Sequence, residues 1–212
     1  MRFVLCVAVL LIFAVGANAG LVTFANESSF EAAGVIAYNT NWDSFTGAYE
    51  SPGDPYTVGG VTYTSGDNVI VGPASGYGNA RSMIFYDHWT PLTADVLPTY
   101  DMLGFDAGVL SYSGSNSLVD ITIYTNLATY QYDALTLPYV TGTLQFLGFV
   151  ADSPGEDMTG FALATENGVS WAAGITDVQV GNASVVPEPA SMLLAGCALL
   201  ALGACTRRRR SA

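Results

Sequence analysis

The chain has 212 residues, with 18 acidic side chains against six arginines and no lysine, and a formal net charge of −12. The imbalance sits in the middle, where residues 20–185 hold 17 acids and one arginine, Arg81, for a formal charge of −16. With almost no cation to displace counterions, binding to nucleic acid or to anionic lipid headgroups is excluded, whereas such a surface stays soluble and attracts divalent cations.

The first 19 residues are expected to be an export leader. Met1 and Arg2 give a positive start, residues 3–15 are an unbroken apolar run, and Ala17-Asn18-Ala19 supplies the small-x-small pattern that signal peptidase cuts. The mature chain should then begin at Gly20. The apolar run is short for a membrane span, which favours cleavage over a retained anchor. Cys6 lies in this leader, and Cys197 and Cys205 lie near the carboxyl end. Residues 20–185 therefore have neither a disulfide to staple them nor a thiol nucleophile. These 166 residues suffice for one domain with its own core.

Within that domain, short runs rich in β-branched and aromatic residues recur between Gly, Asn, Ser and Pro clusters, which predicts an all-β structure. Strands are expected at 21–24, 41–46 (NWDSFT), 60–65 (GVTYTS), 82–86, 102–106 (MLGFD), 119–125 (VDITIYT), 144–150, 159–165, 169–171 and 174–180 (GITDVQV). In 119–125 the alternation puts Val119, Ile121 and Ile123 on one face and Asp120, Thr122 and Tyr124 on the other. Glu166-Asn167-Gly168 is the clearest hairpin signal, because an Asn-Gly pair accepts positive φ. One short helix is expected over 28–34, with Ser28 and Glu31 at capping-box spacing and Gly34 closing it. Turn clusters at 51–55, 65–68, 113–116 and 153–157 punctuate the strands. No internal repeat is present. This many short strands in one cysteine-free domain predicts a two-sheet antiparallel sandwich, jelly-roll-like in its connections.

Residues 186–212 form a separate tail. Pro187, Glu188 and Pro189 make a stiff, hydrated, extended tripeptide. Ala190 to Thr206 follows as 17 residues without a charge, at the short end of what spans a bilayer as a helix. Arg207, Arg208, Arg209 and Arg210 would hold the far end in the cytoplasm. A rigid handle outside a short span, with a basic brake inside, is what a membrane protease could recognise. This order resembles the PEP-CTERM sorting signal of bacterial surface proteins, and the resemblance implies processing by an exosortase-type membrane enzyme. The domain shows a looser similarity to the same proteins, in the F-x-A-A helix followed by N-W-D-S-F, in L-G-F-D at 103–106, in F-L-G-F-V at 146–150 and in I-T-D-V-Q-V-G at 175–181.

Few side chains suggest chemistry. His88 is the sole histidine, beside Asp87 and Trp89. No G-x-S-x-G elbow accompanies it, and zinc would need more nitrogen or sulfur ligands, so it reads as a loop histidine beside an aromatic ring. Asp43, Asp106, Asp120, Asp133 and Asp177 fall on or near predicted strands. A glycosidase pair would need two such acids across a cleft, and scattered acids on a solvated face are the simpler reading. Calcium is the better carboxylate hypothesis, since it takes carboxylate and carbonyl oxygens at strand ends. Many carbohydrate-binding jelly rolls hold one such ion between an early and the last strand, and Asp43 and Asp177 fit by position. Asp152, Glu156 and Asp157 in the S-P-G-E-D loop form a second set. Trp42 and Trp171 read as core, and Trp89 as an exposed ring able to stack on a sugar. The sequons at Asn26 and Asn182 matter only in a eukaryotic secretory path and read as chance.

Three functions are compatible with these features. The first is an exported structural or interaction protein, transiently anchored in the inner membrane and then released to the cell surface or extracellular matrix. The family resemblance ties such a role to exopolysaccharide and biofilm. The second is a carbohydrate-binding module with a structural calcium ion, its twelve tyrosines supplying stacking surface. The third, a secreted glycoside hydrolase, lacks a catalytic set, so the protein is expected not to be an enzyme.

Overall fold

Two antiparallel sheets face one another across a core of aliphatic and aromatic side chains. The computed structural model describes residues 20–44, 51–65, 69–72, 83–86, 91–97, 99–111, 116–141, 143–165 and 170–184. The seven-stranded sheet contains β1 (Leu21–Phe24), β2 (Gly34–Thr40), β5 (Val69–Gly72), β6 (Met83–Tyr86), β8 (Met102–Ser111), β11 (Gln145–Ala151) and β13 (Ser170–Ala183). Its order is β1-β11-β8-β13-β6-β5, with β2 also pairing to β13. The six-stranded sheet contains β3 (Tyr56–Val58), β4 (Val61–Thr64), β7 (Leu92–Val96), β9 (Ser117–Thr125), β10 (Thr129–Leu137) and β12 (Met158–Thr165), in the order β10-β9-β12-β7-β4-β3. The expected all-β two-sheet sandwich is thus observed.

Strand β13 is the spine of the larger sheet. One edge pairs with β8, and the other pairs first with β6 at Gly174 and Ile175 and then with β2 from Val178 to Ala183. Its residues from Ala172 to Gly181 are all buried, so the two strands expected at 169–171 and 174–180 are one continuous element. The expected hairpin fails for the same reason. Glu166, Asn167 and Gly168 lie outside the described residues, but β12 belongs to one sheet and β13 to the other. An Asn-Gly pair reports a tight reversal, not which sheet the next strand joins. A strand buried on both faces, with partners on both edges, goes where burial is greatest.

Residues 41–44 are not strand as expected. The strand precedes them as β2, and Asp43-Ser44 is a turn. In the core, Trp42, Tyr63, Phe161, Phe105, Phe149 and Tyr132 form an unbroken chain of rings with centroids 5.2–6.4 Å apart. Trp42 is a core residue, as its sequence context suggested.

The outer face of the seven-stranded sheet carries a second apolar layer. Helix α1 (Glu27–Glu31) lies on it and buries Phe30 completely. Its N-cap is Asn26, not Ser28: the Asn26 Oδ1 accepts from the Ser29 backbone N–H at 3.0 Å. Phe30 sits over Gly104 and Gly148, which oppose each other in the β8–β11 ladder. A methyl group on Gly148 would stand 2.7 Å from the Phe30 ring, and one on Gly104 would stand 2.9 Å from it. These two glycines are the seat on which the helix rests.

The β1, β11, β8 and β13 registers place Val22, Val150, Met102 and Gly181 side by side. The start of the described chain and the end of β13 therefore emerge at one pole of the sandwich, three strands or about 15 Å apart. Asp101 ties this pole together. Its carbonyl accepts from the Ala151 N–H at 2.8 Å, and its Oδ1 accepts from the Ala183 N–H at 2.6 Å.

Candidate functional site

The six-stranded sheet turns one face to the core and leaves the other to solvent. Alternation along β4, β7, β9 and β12 buries Val61, Tyr63, Leu92, Ala94, Val119, Ile121, Ile123, Phe161 and Leu163. The intervening residues face outward. Because the ladders are in register, these outward residues line up in rows across the sheet. One row reads Thr129, Tyr124, Gly160, Asp95, Thr62, Thr57. The next reads Gln131, Thr122, Ala162, Thr93, Thr64.

Strand β12, near the middle, presents only Gly160, Ala162 and Ala164 to this side. A shallow trough therefore runs along it, bounded by β9 and β7, which stand about 10 Å apart. Gly160 cannot be enlarged, since a methyl group there would meet the Ala94 carbonyl oxygen at 2.5 Å. The walls carry hydroxyls and carboxylates. Thr64 and Thr93 bond through their hydroxyls at 2.7 Å, and Thr57 and Thr62 do so at 2.9 Å. Tyr124 is 38% exposed on one wall, and Asp95 is exposed on the other. On the same face, the Asp120 Oδ1 accepts from the Ala134 N–H at 2.8 Å, where β10 bulges. A rigid, flat, hydroxyl-rich surface with one exposed phenol is suited to weak, multivalent contacts with a polar polymer. The sequence showed the alternation of β9 but not the cross-strand alignment, which depends on register.

The two acids expected to hold calcium lie at one end of the β2–β13 pair. Val178 opposes Thr40, so Asp177 stands level with the end of β2, and Asp43 follows in the next turn. Asp177 is 7% exposed and takes φ 47° at a β-bulge, a conformation Asp tolerates better than most side chains. Asp43 is exposed. Near Asp177, the buried Gln179 donates from its Nε2 to the Glu27 Oε1 at 2.5 Å. Among the described residues, no three His, Cys, Asp or Glu side chains gather in a way that could hold a metal ion.

The leader and the tail, with Ala17, Ala19, Pro187, Glu188, Pro189 and Arg207 to Arg210, lie outside the described residues, as do His88 and Trp89. The expected membrane-spanning segment at 190–206 lies there too, and no helix among the described residues is long and apolar enough to cross a membrane. The last described backbone bond runs from the Ser184 N–H to the Ala33 carbonyl at 2.9 Å.

No curated protein matches the chain in sequence. Among solved structures, the chain is similar to the CBM22-1 xylan-binding domain from Paenibacillus barcinonensis Xyn10C. That match has 12% identity and a TM-score of 0.41, covering 72% of this chain and 98% of the other. It is also similar to a structure of the M60 catalytic domain with the CBM51-1 and CBM51-2 domains from Clostridium perfringens ZmpB, at 12% identity and TM-score 0.36, covering 81% of this chain and 19% of that one. A mutant of the family 29 carbohydrate-binding module CBM29-2 matches at 12% identity and TM-score 0.32, over 73% of this chain and 97% of the other. At such identities the likeness concerns architecture and carries no function. The tail is different, because the family model described as the PEP-CTERM protein-sorting motif matches residues 185–210. That match embraces Pro187-Glu188-Pro189 and all four terminal arginines, so the chain carries a PEP-CTERM protein-sorting motif in its tail.

Proposed function

We propose that the protein is exported, held briefly in the inner membrane by residues 190–206, cut near Pro187-Glu188-Pro189 by an exosortase-type enzyme, and released to the cell surface or extracellular matrix. There its sandwich serves a structural or interaction role linked to exopolysaccharide, by binding rather than catalysis. The observation that carries this reading is the sorting motif at 185–210. The test compares full-length and tail-deleted chains in cells that contain an exosortase. The full-length chain should yield a shortened product whose mass ends near residue 187, in the surface fraction, and the tail-deleted chain should be exported unanchored. Identical location and unprocessed mass for both would refute it.

A second reading, a carbohydrate-binding module, is favoured by the threonine-lined trough along β12. A polysaccharide chain lying in the trough would meet the hydroxyls of Thr93 and Thr122 and the Tyr124 ring. Ala162→Trp fills the trough from its floor on the solvent side, where the sheet has room. That variant should melt within a few degrees of the parent yet lose polysaccharide retention about tenfold or more. Unchanged retention would exclude this face. A structural calcium ion on Asp43 and Asp177 belongs to the same reading.

A further inference from the structure

The pole from which the tail departs holds a buried carboxylate with no cationic side chain beside it among the described residues. Glu156 is 1% exposed. Its Oε1 accepts two hydroxyls, from Thr125 at 2.7 Å and Tyr130 at 2.8 Å. Its Oε2 is buried and has no partner, and neither has the buried Ser153 Oγ. Both atoms belong to one tight turn. The Glu156 N–H donates to the Ser153 carbonyl at 3.0 Å, Pro154 occupies the second position, and Gly155 takes φ 76° in the third. This is a type II turn with the residues that type demands, and it holds the backbones of Ser153 and Glu156 close together. Asn126 fixes the turn from outside, donating to the Gly155 carbonyl at 2.9 Å and accepting from the Asp157 N–H at 3.0 Å.

An ionised carboxyl with a bare oxygen in a dry site is costly unless a positive charge meets it. Among the described residues no side chain can supply that charge, since they include no Lys, Arg or His. We propose that the Ser153–Asp157 turn binds a hard cation, with calcium as the fitting ion, through the Glu156 Oε2 and the Ser153 Oγ. Carbonyl oxygens and water complete the shell. Calcium accepts such an irregular set of oxygens, whereas magnesium demands near-octahedral geometry and keeps its waters. With one buried carboxylate the site is weak, in the range of extracellular modules at about 0.1–1 mM. The site is separate from Asp43 and Asp177 and does not depend on the sorting or carbohydrate readings.

The test titrates calcium chloride into the full chain in detergent, by calorimetry and by thermal melting, with magnesium chloride in parallel. The parent should take up calcium saturably and melt higher with it than with magnesium. Glu156→Gln should lower calcium affinity about tenfold or more, Ser153→Ala, which keeps the carboxylate, should lower it several-fold, and Asp177→Asn should leave this uptake intact. Should Glu156→Gln fail to fold, Ser153→Ala alone decides. No saturable uptake up to about 10 mM, well above the weakest such sites, would overturn the proposal. So would calcium uptake left unchanged by Glu156→Gln or by Ser153→Ala, whatever Asp177→Asn does. A Glu156→Gln variant more stable than the parent and indifferent to calcium would assign the neutralising charge to a proton and overturn it equally.

Discussion

Tyr63 shows how a single hydroxyl can work against its own fold. Its ring is central to the aromatic chain, but its OH is buried without a partner. Burial pushes the phenol well above its ordinary pKa, with the neighbouring Tyr56 adding to the effect. Tyr63→Phe keeps the ring and removes the orphan, so it should stabilise the domain by about 1 kcal/mol in urea unfolding. A loss of stability would show that the hydroxyl has a partner. Tyr130 is the contrasting case, since its OH is satisfied by Glu156. Burial first, then that hydrogen bond, raise its pKa from 10.0 to about 12. The folded state holds this proton more tightly than the unfolded state, so the stabilisation is complete below pH 10 and is lost as pH rises toward about 12. Tyr130→Phe should flatten the fall in stability over that window, which pH-dependent melting would read directly. Neither residue could be singled out from sequence. Twelve tyrosines look alike until packing decides which are enclosed. Glu156 was legible only as one of three loop acids, with Asp152 and Asp157, that could hold calcium, because nothing local records that a hydroxyl from β9 and another from β10 close over it.

At the scale of elements, α1 is five residues long, too short to hold together by propensity alone. It depends on the Asn26 cap at one end and on Phe30 seated over two glycines below. Asn26→Ala should cost about 1 kcal/mol. Gly148→Ala should cost about 1–3 kcal/mol by overpacking, and Phe30→Leu in the same chain should relieve part of that loss. Strictly additive losses in denaturant unfolding would place the two residues apart. Which elements could be read in advance follows from the same physics. Strand β9 alternates cleanly because one face is core and the other solvent. Strand β1 is bounded by turn residues and its limits were read correctly, 21–24. Strand β2 escaped notice because it is largely exposed, with Val35 68% exposed, so no apolar face marks it, and β10 escaped notice because the bulge between Tyr132 and Leu135 breaks the alternation of its core-facing Tyr130, Tyr132, Leu135 and Leu137. Strand β13 was read as two pieces because Gly174 looks like punctuation when it is merely small in a crowded sheet.

At the scale of the whole molecule, the domain is a body of one sign. Its acids repel one another with almost nothing to offset them, so added salt should stabilise it. The melting temperature is expected to rise by a few degrees between about 10 mM and 300 mM sodium chloride as the screening length shrinks to a few ångströms. A flat response would mean that the carboxylates are already compensated locally. Five residues, 185–189, separate the described pole from the start of the apolar tail. Fully extended, five residues span at most about 17 Å. The architecture also sets a timetable. β8, β6 and β2 all pair with β13, yet β13 is the last strand of the domain to be synthesised. The larger sheet must wait, half-assembled, until that final strand arrives, so closure of the fold is the last event in the making of the domain.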